Sequence, residues 1–411
     1  MAVKTVVPLL KCYTRMQFLQ LLSKIGLQKR SVEVKPVSDW KPSFIPNLSG
    51  VNVDNDTALR FTAVFAAMRI RSENIASLPK SVLKETSSGK EIAVNHPVHG
   101  ILHKRPNGYQ DVFTFWAFLN NCLDGWGNAY VIINRDSYGD VSSLFPVHPS
   151  RVVPSLYRGV KYYKISGNDG LQGVYNDTEI CHFMLFSIDG VKGINPIVYN
   201  AESIGNGMAA TRFGTEFFEK GGNIKSVLET DGSLGDKEYN NFMRHYTESA
   251  KNFETPLLEY GIKLKQLGIS PEAAQMLQTK AFSIQDIARI FSLPPHMLAD
   301  LSRSTFSNIE HQDIQFVQYS LRPSVKRFEY QLENKLFFEG ESNSYHIKFD
   351  LNGLLRGDMA SRGAFYHNGI QDGWLNRNEV RNMEGLNRED GLEKFMYPAN
   401  LNVVGETNKE E

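Results

Sequence analysis

Thr57-Ala58-Leu59-Arg60-Phe61-Thr62-Ala63-Val64-Phe65-Ala66-Ala67-Met68-Arg69-Ile70-Arg71-Ser72-Glu73-Asn74-Ile75-Ala76-Ser77-Leu78, followed by Pro79, is the stretch from which the fold is read. Ala58, Phe61, Val64, Phe65, Met68, Ile75 and Leu78 fall on one face at helical spacing, which predicts a core helix from Thr57 to Leu78. Pro79 ends it, because the residue before a proline is pushed out of the α region. Short β-type runs bounded by turn residues follow: Ser81 to Glu85 before Ser87-Ser88-Gly89, Ala129 to Asn134 before Ser137 to Gly139, Val152 to Tyr157, and Tyr162 to Ile165 before Gly167 to Gly170. A second helix over Val112 to Leu123 carries Phe113, Trp116, Ala117 and Asn120 on one face, is closed by Gly125 and Gly127, and is expected to pack on that sheet. This part of the chain reads as α+β.

Past Pro196 the pattern changes. Ile197, Ala201, Ile204, Met208 and Phe217 mark a long helix whose small residues, Gly205, Gly207, Ala209, Ala210 and Gly214, let neighbouring backbones approach. After Gly221-Gly222 comes an insert: strand Ser226 to Thr230, turn Asp231-Gly232, helix Asp236 to Lys251, strand Pro256 to Tyr260, a turn at Gly261 and strand Ile262 to Leu267. Ser270 as N-cap, Pro271 at the first helical position and Glu272 on the positive end of the dipole then start another helix. Along it Leu277, Ala281, Ile284, Ala288 and Phe291 alternate by four and three, a narrow seam suited to one partner helix. A polar stretch, Asp300 to Asn308, leads into a helix over Ile309 to Leu336 that Pro323 should kink or split. The tail predicts a strand at His346 to Asp350, a helix near Asp358 to Tyr366, and a helix with N-cap Asn376 paired to Glu379 in a capping box.

Composition removes several classes of function. The 411 residues carry 45 Lys plus Arg against 45 Asp plus Glu, a net charge of zero, whereas a protein that clamps DNA shows a basic excess. Cys12, Cys122 and Cys181 are neither paired nor spaced for a disulfide framework or a zinc ribbon, which fits a reducing compartment. No apolar run approaches the roughly 20 residues that span a bilayer, and Lys11 and Arg15 interrupt the only leader-like segment. Residues 1 to 49 form a basic arm with Phe18, Leu22 and Ile25 in a stripe, open to two readings: a helix that docks on an acidic surface, or a solvated, partly disordered segment. Ser88-Gly89-Lys90-Glu91 lacks the glycine and hydroxyl of a phosphate loop. His96, His99 and His103 have near-ligand spacing, but Pro97 intervenes and no Cys or carboxylate ligand is near, so a turn and short helix are expected there instead of a metal. With no nucleophile elbow, zincin motif or paired acids, neither a catalytic centre nor a cofactor is expected.

What remains is an order of motifs. Thr62 to Ile70 with Glu73 to Pro79, His96-Pro97, Arg105-Pro106-Asn107, Gly127-Asn128-Ala129-Tyr130-Val131 and Gly190 to Pro196 resemble the portal proteins of tailed bacteriophages, in the family typical of long-tailed phages. Phe217 to Gly222, Ile269 to Gln275, Ile287 to Pro295, Ser304 to Glu310 and Asn378 to Arg381 continue in the family's order. The resemblance covers about residues 58 to 395.

It implies a portal fold: residues 50–195 as the first part of an α+β wing, 196–222 and 270–297 as a two-helix stem, 223–269 as a small α/β clip, 298–340 as tunnel loop and kinked helix, and 341–411 as wing return and short helical crown. It also implies a closed ring of self-associated copies, usually twelve, at one capsid vertex of the virion. Such a ring is assembled in the bacterial cytoplasm and partners the terminase large subunit, the major capsid protein, a head–tail adaptor and the double-stranded DNA that passes through. On this mapping Gly205, Met208, Leu277, Ala281, Ile284, Ala288 and Phe291 pack stem helices of adjacent subunits, the alternative for each being a core within the subunit. Lys251 and Glu254 lie on the docking surface of the clip, and Ser302, Arg303, Ser304, Thr305, Ser307 and Asn308 face DNA. Two alternatives stand beside it: another ring-forming head–tail connector, and a hydrolase with an unrecognised site.

Overall fold

The computed structural model describes residues 50–87, 89–219, 226–230, 232–251, 258, 261–266, 282–301, 306–338, 340–351, 354 and 359–396. Helix α1 (Asn55–Leu59) and helix α2 (Thr62–Ser77) stand where one helix was expected. Asp54 and Thr57 close a capping box on α1, and Phe61 then turns extended, burying its ring at the head of α2. Strands β1 (Lys80–Thr86) and β2 (Gly89–Ile92) form a hairpin, followed by helix α3 (Pro97–His103) and helix α4 (Val112–Trp126). Gly125 lies inside α4; the left-handed residue that closes it is Gly127.

Strands β3 (Asn128–Arg135), β4 (Val141–Val147), β5 (Val152–Tyr157), β6 (Val160–Ile165), β7 (Gly173–Asn176) and β8 (Ile180–Met184) build two antiparallel sheets ordered β4-β3-β8 and β5-β6-β7. The first is buried on both faces. Ala129, Val131, Ile133 and Phe183 point to the helices, while Tyr130, Ile132, Val147 and Ile180 meet Val152, Tyr163 and Ile165 of the second sheet.

Helix α5 (Pro196–Tyr199) and helix α6 (Ala201–Glu219) replace the single helix expected after Pro196, the chain stepping out of helical geometry at Asn200. Strand β9 (Ser226–Glu229), helix α7 (Asp236–Lys251) and strand β10 (Lys263–Gln266) follow, with β9 and β10 antiparallel. The expected strand at 256–260 falls outside the described residues except at position 258. Helix α8 (282–290) leads to helix α9 (Phe306–Gln315), a π-helical turn at Phe316–Leu321 and helix α10 (Arg322–Leu336). Pro323 has no N–H for the carbonyl of Tyr319 and its ring would clash there, and the wide turn just before it accommodates both. The expected kink takes this form.

Strand β11 (Tyr345–Phe349), helix α11 (Met359–Gln371) and helix α12 (Arg377–Met383), with Asn376 and Glu379 in the expected capping box, are the last elements among the described residues. β11 pairs antiparallel with β1, from Lys80 against Phe349 to Lys84 against Tyr345, giving the order β11-β1-β2. Its outward N–H groups are not left open: Ile347 donates to Glu333 at 2.8 Å and Phe349 to Glu329 at 2.9 Å, both from α10. With all sheets antiparallel and helices packed against them, the fold is α+β as expected. Among the described residues no helix is long and apolar enough to cross a membrane.

Lys80 is a charge buried in this core at a cost. It is 3% exposed, its Nζ donates to the Ala76 carbonyl and lies 5.6 Å from the ring centres of Trp116 and Phe349, and no described carboxylate pairs with it. Burial pulls its pKa down from 10.5 to about 7. Between those values the unfolded chain holds a proton that the folded chain has released, so stability rises with pH through the window, and the penalty is full below pH 7. Lys80→Met is therefore expected to stabilise the subunit by about 1–3 kcal/mol at pH 6, with the gain fading toward pH 10. Melting curves across pH check this; a gain that does not change with pH would show that the ammonium is solvated.

Candidate functional site

Arg71 occupies the apolar stripe of α2, three residues beyond Met68 and four before Ile75, and is 5% exposed. Its Nε donates to Asp124 of α4 at 2.9 Å, and Asp124, 2% exposed, also accepts from Asn120 at 2.7 Å. One terminal nitrogen donates to the Phe291 carbonyl at 3.1 Å and to Ser320; the other donates to Ser324 at 3.1 Å. Phe291 ends α8. There Leu293 N–H bonds Ala288 O at 2.8 Å and Ser292 N–H bonds Arg289 O at 3.1 Å, with Ser292 left-handed at φ 53°, a Schellman end. A cation on that carbonyl also offsets the negative end of the helix dipole. One guanidinium thus fastens α2, α4, the end of α8 and the π-helical turn.

A second junction lies at Gly127, with φ 71° and its N–H on Leu123 O at 2.8 Å. Its carbonyl accepts from Leu185, and the Asn128 side chain donates to Gly193 O at 2.7 Å and accepts from Gly193 N at 2.8 Å. The backbones at Gly127 and Gly193 touch, so the two glycine motifs singled out in the sequence are one contact. Asn195 extends it, accepting from Ile197 and Val198 to cap α5 and donating to Asn55 at 2.8 Å. These bonds fix where the chain enters α6.

His182, Tyr163 and Asp177 could pass for a proton relay. His182 Nε2 donates to Asn128 Oδ1 at 3.0 Å, Nδ1 lies 3.3 Å from the Tyr163 hydroxyl, and that hydroxyl is 3.3 Å from Asp177. Burial holds the imidazole neutral, well below its ordinary pKa, and pushes the phenol well above its own. Neither exchanges a proton near neutrality, and both are packed between the sheets. The three N-terminal histidines are structural too: His96 caps α3, His99 accepts from Val82 N at 3.3 Å, and His103 stacks on His99 with ring centres 5.3 Å apart. Among the described residues no cluster of His, Cys, Asp or Glu is set to hold a metal.

Gly205, Ala288 and Phe291, expected between neighbouring subunits, are buried within the subunit itself, and Phe291 belongs to its main core. The physical reason is close approach within one chain: a Cβ at Gly207 would lie 3.0 Å from the Phe61 ring and from Ser283. Met208 and Ile284 are half-buried. Leu277, Ala281, Glu254, Ser302, Arg303, Ser304 and Thr305 lie outside the described residues, as does the arm at 1–49; Lys251 ends α7, and Ser307 and Asn308 begin α9. Arg71 and Asp124 carry the junction and were not singled out from the sequence. The available signal was a charge on an otherwise apolar stripe and the Asn120/Asp124 pair one turn apart.

Residues 62–385 match the family model described as phage portal protein. The chain belongs to the phage portal protein family. Among portal relatives, the probable portal protein of Streptomyces phage phiC31 is 31% identical over 399 residues, covering 91% of this chain and 86% of that one. The portal protein of Enterobacteria phage HK97 is 28% identical over 373 residues, covering 88% of each. The fold is also that of a chain in the neck of a native gene transfer agent particle computed with C12 symmetry, at a TM-score of 0.59 and 19% identity, covering 90% of this chain and 100% of that chain.

Proposed function

We propose that this portal-family chain is the subunit of a closed ring, a dodecamer, at one vertex of a phage capsid, forming the channel through which double-stranded DNA is packaged and later released and to which the tail attaches. The portal match across residues 62–385 carries the reading. The C12 symmetry of the similar neck chain supports twelve copies. On this reading residues 50–195 are wing, 196–222 and 270–297 are stem, 223–269 are clip, 298–340 are tunnel loop and kinked helix, and 341–411 are wing return and crown. The clip, with Lys251 and Glu254, takes the terminase large subunit and the head–tail adaptor, and the major capsid protein surrounds the wing.

A conduit must let DNA slide, and each neutralised phosphate adds salt-dependent affinity that would brake it, so equal numbers of acidic and basic residues suit the role. Ser302, Ser304, Thr305, Ser307 and Asn308 would touch phosphates briefly in any sequence context, with Arg303 adding one charge per subunit. Nothing in this role calls for a catalytic centre or cofactor. Mass photometry of purified protein at rising concentration is expected to show closed rings of about twelve protomers; a strict monomer at every concentration and salt, and in the particle, overturns the proposal.

A further inference from the structure

A cavity of about 310 Å³ opens beside the Arg71 junction, between the 185–194 loop, Pro196 and Asn200, the end of α8 and the Pro323–Arg327 face of α10. Its floor is already satisfied, since Asp124 is taken by Arg71 and Asn120. Its wall is not. Arg327 is half-buried; burial and the nearby Arg71 lower its pKa, Asp124 offsets part of that, and among the described residues no acceptor bonds it and no carboxylate forms an ion pair with it. Phe186 and Tyr319, each 68% exposed, stand on the rim. A half-buried guanidinium that no protein group pairs is open to an incoming anion, which it would hold through a charge-assisted bond.

We propose that this pocket receives a carboxylate side chain from the neighbouring copy of the chain, held by Arg327 and flanked by Phe186 and Tyr319. The inference rests on the ring reading above. A protein partner fits better than a DNA phosphate, because arginine beside exposed aromatics is the chemistry of protein interfaces, whereas the pocket's second arginine, Arg71, is already taken by Asp124 and leaves Arg327 as its one open cation among the described residues. The pocket stands at the junction of four helices, so a neighbour seated there would brace the subunit where its helical segments meet.

The test compares the concentration for half-assembly of wild type, Arg327→Gln, Arg327→Glu, Arg327→Lys and Arg322→Glu, with the melting temperature of each protomer measured below that concentration. Arg322 is exposed on the same helix, outside the pocket, and controls for net charge. Arg327→Gln is expected to raise the half-assembly concentration at least tenfold, Arg327→Glu further and Arg327→Lys less, with Arg322→Glu like wild type and no loss of protomer melting temperature in Arg327→Gln. Wild-type assembly by Arg327→Gln overturns the proposal. So does a protomer destabilised by Arg327→Gln, which would make the residue internal scaffolding, and so do rings that form normally but bind DNA less tightly, which would assign the pocket to phosphate. Wild type that never forms rings removes the ring reading and the partner with it; rings that ignore Arg327 remove only the pocket.

Discussion

Asp124→Ala is expected to lower the folding free energy by about 3–5 kcal/mol, because it leaves the buried Arg71 guanidinium without its counter-charge. The loss is not confined to one contact. Arg71 also holds the Phe291 carbonyl, Ser320 and Ser324, and a cation without its anion draws water into the place where four helices meet. The double substitution Arg71→Met with Asp124→Leu should recover most of the loss, since apolar groups of similar volume often replace a buried pair at little cost. Urea unfolding of wild type and the two variants checks this. Asp124→Ala within about 1 kcal/mol of wild type would mean that the pair is solvated.

Gly127→Ala is expected to cost about 4 kcal/mol or more, in the range reserved for a specific structural fault. Part is the left-handed backbone, which costs a side-chain-bearing residue about 1–2 kcal/mol. The larger part is contact: a Cβ there would stand 1.8 Å from the Ile194 carbonyl oxygen, so the 185–195 loop must lift and release the Asn128 bonds to Gly193. Gly190 separates the two terms. Its φ is 69°, nearly that of Gly127, and no atom lies within 4 Å of an added Cβ, so Gly190→Ala should show only the backbone cost. Equal losses at the two positions would refute the contact argument.

The helices and strands bounded by local signals were readable from the chain itself. Asp236–Lys251, Val152–Tyr157 and the Asn376/Glu379 capping box fall where periodicity and cap residues put them. The break at Phe61 was hidden, because an apolar residue at helical spacing serves equally well as the extended residue before a helix; what decides is the Asp54–Thr57 box upstream and the small Gly207 opposite. Ile180–Met184 was missed because a strand packed between helices and a second sheet has no polar face to alternate with. The junction was least legible. Its members are separated by 53 to 253 positions, and no local pattern announces that Arg71 will meet Asp124 and Ser324. The order of family motifs pointed to the portal channel while leaving the residues of this junction unmarked.

The pairing of β1 with β11 has a consequence for synthesis. Lys80–Thr86 is the middle strand of its sheet, yet one neighbour is Tyr345–Phe349, and at about 5–20 residues per second the ribosome needs roughly 13–50 s to make the intervening 260 or so residues. Until then the strand has an open edge, and α10, which supplies the carboxylates that cover β11, is missing for most of that time. A polypeptide that stops short of Tyr345 keeps its unpaired edge for good. The sheet is therefore complete only once the ribosome has passed Tyr345–Phe349, so its closure depends on most of the chain having been made.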